Sequence, residues 1–247
     1  MFDFICTIQY NGKAFSGWSK QKSAKTIQGT IEKAIQRVTK NANFKTIGAS
    51  KTDAGVHALD QKMLLVLDFE PELKQFRQAL NAVIKPDINI IAIEKTTADF
   101  HIRSCRQKEY QYTINLGAYD LLRNDFEWHI TYPFVREKFE QALQLFIGEH
   151  DFLHFSGLNQ SEAQEIRTVR HIDDIVVQND GDRIVTLFTG KGFIRYQIRM
   201  IVGACAAYAL GKIKNLSDIT DVLNLKKEKF NHIADPAGLI LKRIIYN

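Results

Sequence analysis

Short runs rich in Val, Ile, Phe and Tyr alternate with amphipathic helical patterns along the whole chain. This alternation constrains the fold more than any other feature, because polar or turn residues bound each run, as they bound strands. Helical spacing behind Thr26 and behind Pro71 predicts a helix after each of these residues. The strands predicted in the first part of the chain are 2–10, 44–47, 63–69, 88–93 and 110–116.

The second half repeats this mixture of strands and helices. The patterns predict helices at 135–147, 194–210 and 217–225, and strands at 167–177, 183–188 and 239–245. The stretch 149–165 is rich in polar residues and is predicted to be a loop that closes over a ligand. We therefore predict an α+β fold of two related sheet-and-helix halves, 1–105 and 106–247.

Composition sets broad limits on the class of protein. A chain of 247 residues with 45% apolar residues is long enough to bury a full core. Its formal charge of +5 is compatible with a polyanionic partner but does not require one. Cys6, Cys105 and Cys205 lack C-x-x-C spacing, which favours a reducing compartment over a disulfide framework. No signal peptide or membrane-length apolar stretch is apparent, so we expect a cytoplasmic protein.

A polar connection between two predicted strands carries the most specific candidate for chemistry. Asp53 lies there between Thr52 and the small pair Ala54-Gly55, where the backbone can approach a ligand closely. Two readings are open from this fragment alone. Asp53 is either a functional carboxylate or the first residue of an ordinary Asp-x-Gly turn that bonds its own backbone.

Several segments, in order along nearly the whole chain, match the motifs of one known family. The segments at 50–58 and 108–112 are similar to the motifs Gly-Arg-Thr-Asp-x-Gly-Val-His-Ala and Lys-x-Tyr-x-Tyr. The remaining similar segments are Tyr10-Asn11-Gly12, Phe15-Ser16-Gly17-Trp18, Phe100-His101-Ile102-Arg103, Gly148-Glu149-His150-Asp151-Phe152, 192–203 and Ala234-Asp235-Pro236-Ala237-Gly238-Leu239. On these segments the chain resembles the tRNA pseudouridine synthase A family. Lys51 stands where the family usually has Arg, which keeps the charge but loses the planar fork that grips a phosphate in two bonds.

The resemblance implies the pseudouridine synthase fold, with ferredoxin- or RRM-like halves, a central mostly antiparallel sheet and a cleft between the halves. It also implies conversion of uridine to pseudouridine at positions 38, 39 and 40 of the tRNA anticodon stem-loop, by a homodimer without cofactor or metal. Asp53 is the implied catalytic aspartate. An ionised carboxylate can attack the ribose or the base, or can stabilise a cationic ribose, and the residues do not decide between these.

Two further residues are expected to assist Asp53. Arg199 lies on an otherwise apolar predicted helix, where an unpaired guanidinium is costly, so we expect it to be paired and to keep Asp53 charged. A structural ion pair elsewhere in the core is the alternative. The resemblance assigns Tyr110 to stacking on the uracil and to removal of the C5 proton, whereas Tyr112 is expected in the core.

Contacts to the RNA are expected from basic and polar residues in or near the matched segments. For any basic residue outside the motifs, a solvated surface is the simpler interpretation. The candidates are Lys20, Gln21, Lys51, His57, Arg103 and Lys108, with Lys22, Lys25 and Arg106 as further basic residues.

Three other functions are compatible with parts of the pattern. His150 and His154 are four residues apart and echo a zinc-hydrolase motif, but the motif's Glu is absent and Gly157 disfavours a helix. A non-catalytic RNA-binding module also uses sheets with exposed tyrosines, yet it does not need the Asp53 and Arg199 pair. A relative acting on other RNA sites would share the mechanism and differ in substrate.

Overall fold

The computed structural model describes residues 1–40 and 43–246 and contains strands and helices throughout. The strands are β1 (Phe2–Tyr10), β2 (Phe44–Gly48), β3 (His57–Leu67), β4 (Ile88–Thr96), β5 (Gln107–Asn115), β6 (Trp128–His129), β7 (Gly148–Asp151), β8 (Val169–Asp180), β9 (Arg183–Gly190) and β10 (Leu239–Ile245). The helices are α1 (Ile27–Thr39), α2 (Leu73–Ile84), α3 (Arg136–Gln144), α4 (Gln160–Glu165), α5 (Gln197–Ala209) and α6 (Leu216–Leu223). The predicted α+β class is confirmed.

The chain divides into two compact units, Met1–Arg106 with Ile240–Asn247, and Gln107–Leu239. In the first unit the order β1-α1-β2-β3-α2-β4 forms a ferredoxin-like arrangement. Antiparallel β1 lies between β4 and β3, and β2 pairs with the far edge of β3. The last strand, β10, joins this unit by a short parallel pairing with His57 and Ala58 of β3.

Helix α1 covers this sheet because its apolar residues recur on one face. Ile27, Ile31 and Ile35 are buried, and the Thr26 side chain accepts a hydrogen bond from the backbone N–H of Gly29 as the N-cap. The predicted cap is confirmed. The core of the unit is completed by β-strand residues such as Phe4 and Ile8, which are 1% and 0% exposed.

In the second unit β5, β9, β8 and β7 form an antiparallel ladder, and the short β6 runs parallel to β5. Helix α5 is buried around almost its whole circumference, as an apolar sequence requires. The predicted loop at 149–165 is wrong in part. This stretch contains the end of β7, a 3-10 turn at Leu153–Phe155, and α4, whose N-cap Asn159 forms a capping box with Glu162.

Cys6, Cys105 and Cys205 are buried, and none of the three is in a disulfide bond. Burial raises the pKa of Cys6 to about 12. Among the described residues, no helix is both long and apolar enough to cross a membrane.

Candidate active site

Asp53 lies half-buried in the connection between β2 and β3. The backbone N–H of Val56 donates to the carbonyl of Asp53 at 3.2 Å, which closes a turn. Gly55 has φ of +78° in this turn, a conformation that costs glycine little and other residues more. We call residues 49–56 the Asp53 loop.

The chain that follows β1 holds the Asp53 loop through its backbone. The N–H of Trp18 donates to the carbonyl of Thr52 at 3.1 Å, and the N–H of Gly55 donates to the carbonyl of Phe15 at 3.2 Å. The hydroxyls of Tyr10 and Thr52 are 2.7 Å apart. Because these bonds flank Asp53 on both sides, they restrict the positions that its carboxylate can take.

Buried side chains of β3 complete the support. Gln61, which is fully buried, donates from Nε2 to the carbonyl of Ser50 at 2.9 Å and accepts from the N–H of Ser50 at 3.2 Å. Nδ1 of His57 accepts from the N–H of Gly12 at 3.1 Å, and His57 is only 2% exposed. The structure therefore buries His57, and its predicted contact with RNA stays a prediction.

Two glycines allow this close approach. A Cβ atom on Gly12 would lie 2.0 Å from the carbonyl oxygen of Val56. Gly17 has φ of +90°, and a Cβ there would lie 2.8 Å from the carbonyl oxygen of Thr52. The Asp53 loop therefore rests directly on the backbone of the segment that follows β1.

We expect Gln61→Met to lower the free energy of unfolding by about 2–4 kcal/mol, because the apolar side chain leaves both buried backbone groups of Ser50 without their partner. Urea unfolding measures this change. Gln21→Met is the matched control, since the exposed Gln21 amide makes one bond to the carbonyl of Ser16. Equal stability losses in the two variants would contradict the role given to Gln61.

The predicted RNA-binding residues of the first unit fall in two places. Lys51 and Arg103, which are exposed, line one cavity with a volume of about 330 Å³. Lys20 and Gln21 line another of about 490 Å³ with further lysines, beside the start of α1. Lys20 is also paired with Glu32 at 2.7 Å. Positive charge is therefore concentrated around both cavities, which suits phosphate groups.

Tyr110 and Tyr112 belong to the second unit and lie two residues apart on β5, so they face the same side of the sheet. The ring of Tyr110 is 8% exposed and packs edge-on against Phe193, with centroids 5.3 Å apart. Tyr112 is fully buried, as predicted, and its hydroxyl donates to the carbonyl of Asp235 at 2.7 Å. Burial raises the pKa of Tyr112 well above its usual range, which suits a structural role. Lys108 is the second residue of the same strand and pairs with Gly190 of β9.

Arg199 lies in the first turn of α5 and is half-buried. Its Nε donates to the carbonyl of Ala234 at 2.9 Å, and its guanidinium lies over the ring of Tyr196 at 5.2 Å. The carbonyl of Arg199 accepts from the N–H of Ala234, so helix and loop are joined twice. These contacts fix the direction of the guanidinium.

Arg195, which sequence reasoning did not single out, positions the loop before α4. Its guanidinium binds both carboxylate oxygens of Glu162 and the carbonyl of Gly157. This hydrogen bonding to Arg195 lowers the pKa of Glu162. The signal that could have found Arg195 was its place within the motif at 192–203.

The histidines that echoed a zinc site do not share a helix. His150 lies in β7 and bonds the carbonyl of Ile147, whereas His154 lies in a 3-10 turn and bonds the carbonyl of Lys227. Within residues 1–40 and 43–246, no group of three or more His, Cys, Asp or Glu side chains is arranged to hold a metal ion. The helical metal-binding pattern is therefore not formed.

Comparison with known proteins agrees with the family resemblance of the sequence motifs. The model of a family described as tRNA pseudouridine synthase matches residues 7–103 and 142–247. A tRNA pseudouridine synthase A of Mesoplasma florum is 46% identical over 249 residues, which cover 100% of this chain and 99% of that protein. The namesake protein of Spiroplasma kunkelii is 41% identical, with 100% of this chain and 95% of that protein covered.

Among solved structures, an archaeal box H/ACA sRNP Nop10-Cbf5 complex matches 82% of this chain and 43% of that chain. Its identity of 10% and TM-score of 0.35 make this likeness too remote to bear on the fold. The family match and the full-length similarity define an enzyme of the isomerase class. The chain belongs to the tRNA pseudouridine synthase family.

Proposed function

We propose that this protein converts uridine to pseudouridine at positions 38, 39 and 40 of the tRNA anticodon stem-loop, with Asp53 as its essential carboxylate and without a cofactor. The observation that carries the proposal is the way Asp53 is held. A half-exposed carboxylate lies on a turn whose neighbours are fixed by buried hydrogen bonds to Tyr10, Gln61 and Trp18. Such support is what a reacting group needs and what an ordinary surface turn lacks.

The reaction gains and loses no atoms. The bond between ribose C1′ and uracil N1 breaks, a bond between C1′ and C5 forms, the proton on C5 leaves and N1 gains one. Asp53 acts as a nucleophile toward the ribose or the base, or stabilises the cationic ribose. Because a stacked base hides C1′ and C5, the target uridine is extruded from the stem before reaction.

Tyr110 and Arg199 receive roles that agree with their own surroundings. The ring of Tyr110 is buried against Phe193 with its direction fixed, which suits stacking on a base and removal of the C5 proton. The guanidinium of Arg199 is anchored through its Nε to the carbonyl of Ala234, and this anchor directs a permanent positive charge. We assign Arg199 the role of keeping Asp53 ionised.

The family resemblance further supports a homodimer that binds one tRNA across both subunits, acting in the cytoplasm. Lys20, Gln21, Lys51, Arg103 and Lys108 are the proposed RNA contacts.

Mapping pseudouridine in tRNA that has been treated with the purified protein tests the reaction and its positions together. We expect new pseudouridine at 38, 39 or 40 in unmodified tRNA transcripts that carry uridine there. Transcripts with cytidine at these three positions are the matched control and remain free of new pseudouridine. Modification at other positions in both transcripts would overturn the proposed specificity while leaving the reaction in place.

A further inference from the structure

The cavity between β2, β3 and the segment after β4 has the lining expected of a nucleotide site. Its volume of about 330 Å³ is at the low end of ligand pockets, the size of a single nucleotide rather than of a helix. Its floor is apolar and buried, since Trp18, Leu64 and Ile102 are 2%, 8% and 3% exposed. An apolar floor of this kind favours a flat base.

Charge at the cavity has one sign. Lys51 and Arg103 line it with His101, and its lining contains no Asp or Glu. Across residues 1–40 and 43–246, the side chains of Lys51 and Arg103 make neither an ion pair nor a hydrogen bond. Two exposed cations without protein partners are available for a phosphate.

The wall of the cavity is fixed before any ligand arrives. Phe100 packs against the ring of Tyr246 with centroids 5.1 Å apart, and the Tyr246 hydroxyl donates to the carbonyl of Ile102 at 2.7 Å. On the opposite side the indole of Trp18 lies so close to Gly48 that a Cβ there would be 2.3 Å from Nε1. A preformed wall lowers the entropic cost of binding.

Lys51 places the cavity close to Asp53, the proposed reacting residue. It is two residues from Asp53, so their Cα atoms are at most about 7 Å apart. We propose that this cavity binds one unpaired nucleotide of the RNA beside the target uridine, with its phosphate on Lys51 and Arg103 and its base over Trp18, Leu64 and Ile102. This inference rests on the proposed function, because it takes the RNA to be held with a uridine at Asp53. A flanking nucleotide held in this way keeps the extruded uridine in register and restricts the sequences that fit.

Fluorescence of Trp18 reports on the cavity directly. The chain has two tryptophans, so Trp128→Phe leaves Trp18 as the only one. We expect uridine 5′-monophosphate to change this fluorescence in a saturable way. Arg103→Gln is expected to raise the apparent Kd about tenfold, because one charge-assisted hydrogen bond is lost. Arg106→Gln is the matched control, because Arg106 is exposed, lies three residues after Arg103 and is outside the cavity. The Kd of this variant for the nucleotide is expected to stay within about twofold of the wild-type value.

Calorimetric titration of the protein with its native tryptophans gives the same comparison if Trp128→Phe fails to fold. Inorganic phosphate is titrated in parallel, and binding as tight as that of the nucleotide would overturn the base site. Equal Kd values for Arg103→Gln and Arg106→Gln would also overturn the proposal.

Kinetics with tRNA separate this inference from the proposed function. Arg103→Gln raises KM about tenfold, leaves kcat within about twofold and lowers the salt slope of binding by about 0.7 to 0.9, the loss of one phosphate contact. Asp53→Asn leaves nucleotide binding in the cavity unchanged. If the wild type formed no pseudouridine while nucleotide binding in the cavity was intact, the proposed function would fail. If Asp53→Asn retained activity, only the role of Asp53 would fail, and if the wild type were active but Arg103→Gln kept its KM, only the proposal for the cavity would fail.

Discussion

Asp53→Asn is expected to abolish pseudouridine formation, with a loss of at least about a thousandfold in kcat. The amide keeps the shape of the carboxylate but lacks its charge, so it can neither attack the ribose or base nor stabilise a cationic ribose. Binding of tRNA stays within about threefold, because the phosphate contacts lie on other residues. Single-turnover release of tritium from C5-labelled tRNA measures the chemistry, and filter binding measures the affinity.

Asp60→Asn is the matched control for this substitution. Asp60 lies seven residues further along, where its carboxylate binds Lys62 at 2.6 Å and accepts from the N–H of Ile244 at 2.9 Å. An Asn at this position still accepts the bond from Ile244, so kcat is expected to stay within about twofold. Activity of Asp53→Asn within tenfold of wild type would remove Asp53 from the mechanism.

Gly17→Ala is expected to reduce kcat about a hundredfold and the free energy of unfolding by about 2–4 kcal/mol. An alanine at φ of +90° is strained, and its Cβ would lie 2.8 Å from the carbonyl oxygen of Thr52 and 3.2 Å from the backbone nitrogen of Ala54. These two atoms flank Asp53, so relief of the clash moves the carboxylate. A displacement of about 1 Å in a reacting group is enough for a loss of this size.

Gly181→Ala is the control that separates the effect of backbone strain from the effect of moving the Asp53 carboxylate. Gly181 also has a positive φ, +58°, but a Cβ there meets no atom within 4 Å. We expect a stability loss of about 1 kcal/mol and unchanged kcat. Thermal unfolding and steady-state kinetics of both variants provide the comparison, and equal kcat values would show that the Asp53 loop tolerates movement.

Some strands were predicted with their observed first and last residues because a turn residue stands next to them in the sequence. Strands β1 and β10 begin and end where the predicted runs 2–10 and 239–245 do; β1 ends before the turn pair Asn11-Gly12, and β10 begins directly after Gly238. The start of β3 was missed by six residues. His57 and Gln61 are polar and interrupt the apolar pattern from which a strand is predicted. Both are nevertheless buried, because they form hydrogen bonds with backbone groups of Gly12 and Ser50.

Hydrophobic periodicity could not predict the polar contacts that hold the Asp53 loop. Tyr10 and Thr52 are 42 positions apart and meet only after β1 pairs with β3. The motif resemblance found Asp53, but it did not show that the segment at 10–18 carries the Asp53 loop. Hydrophobic patterns report burial of apolar faces, whereas this support consists of backbone bonds, buried side-chain hydrogen bonds and glycine contacts.

The pairing of β10 with β3 bears on how the protein is made. The residues of β10 leave the ribosome only after the whole second unit, 107–239, has been synthesised. Their contact with β3 is at His57 and Ala58, where the Asp53 loop ends. During translation the first unit therefore gains β10, beside the end of the Asp53 loop, only after the second unit has been synthesised.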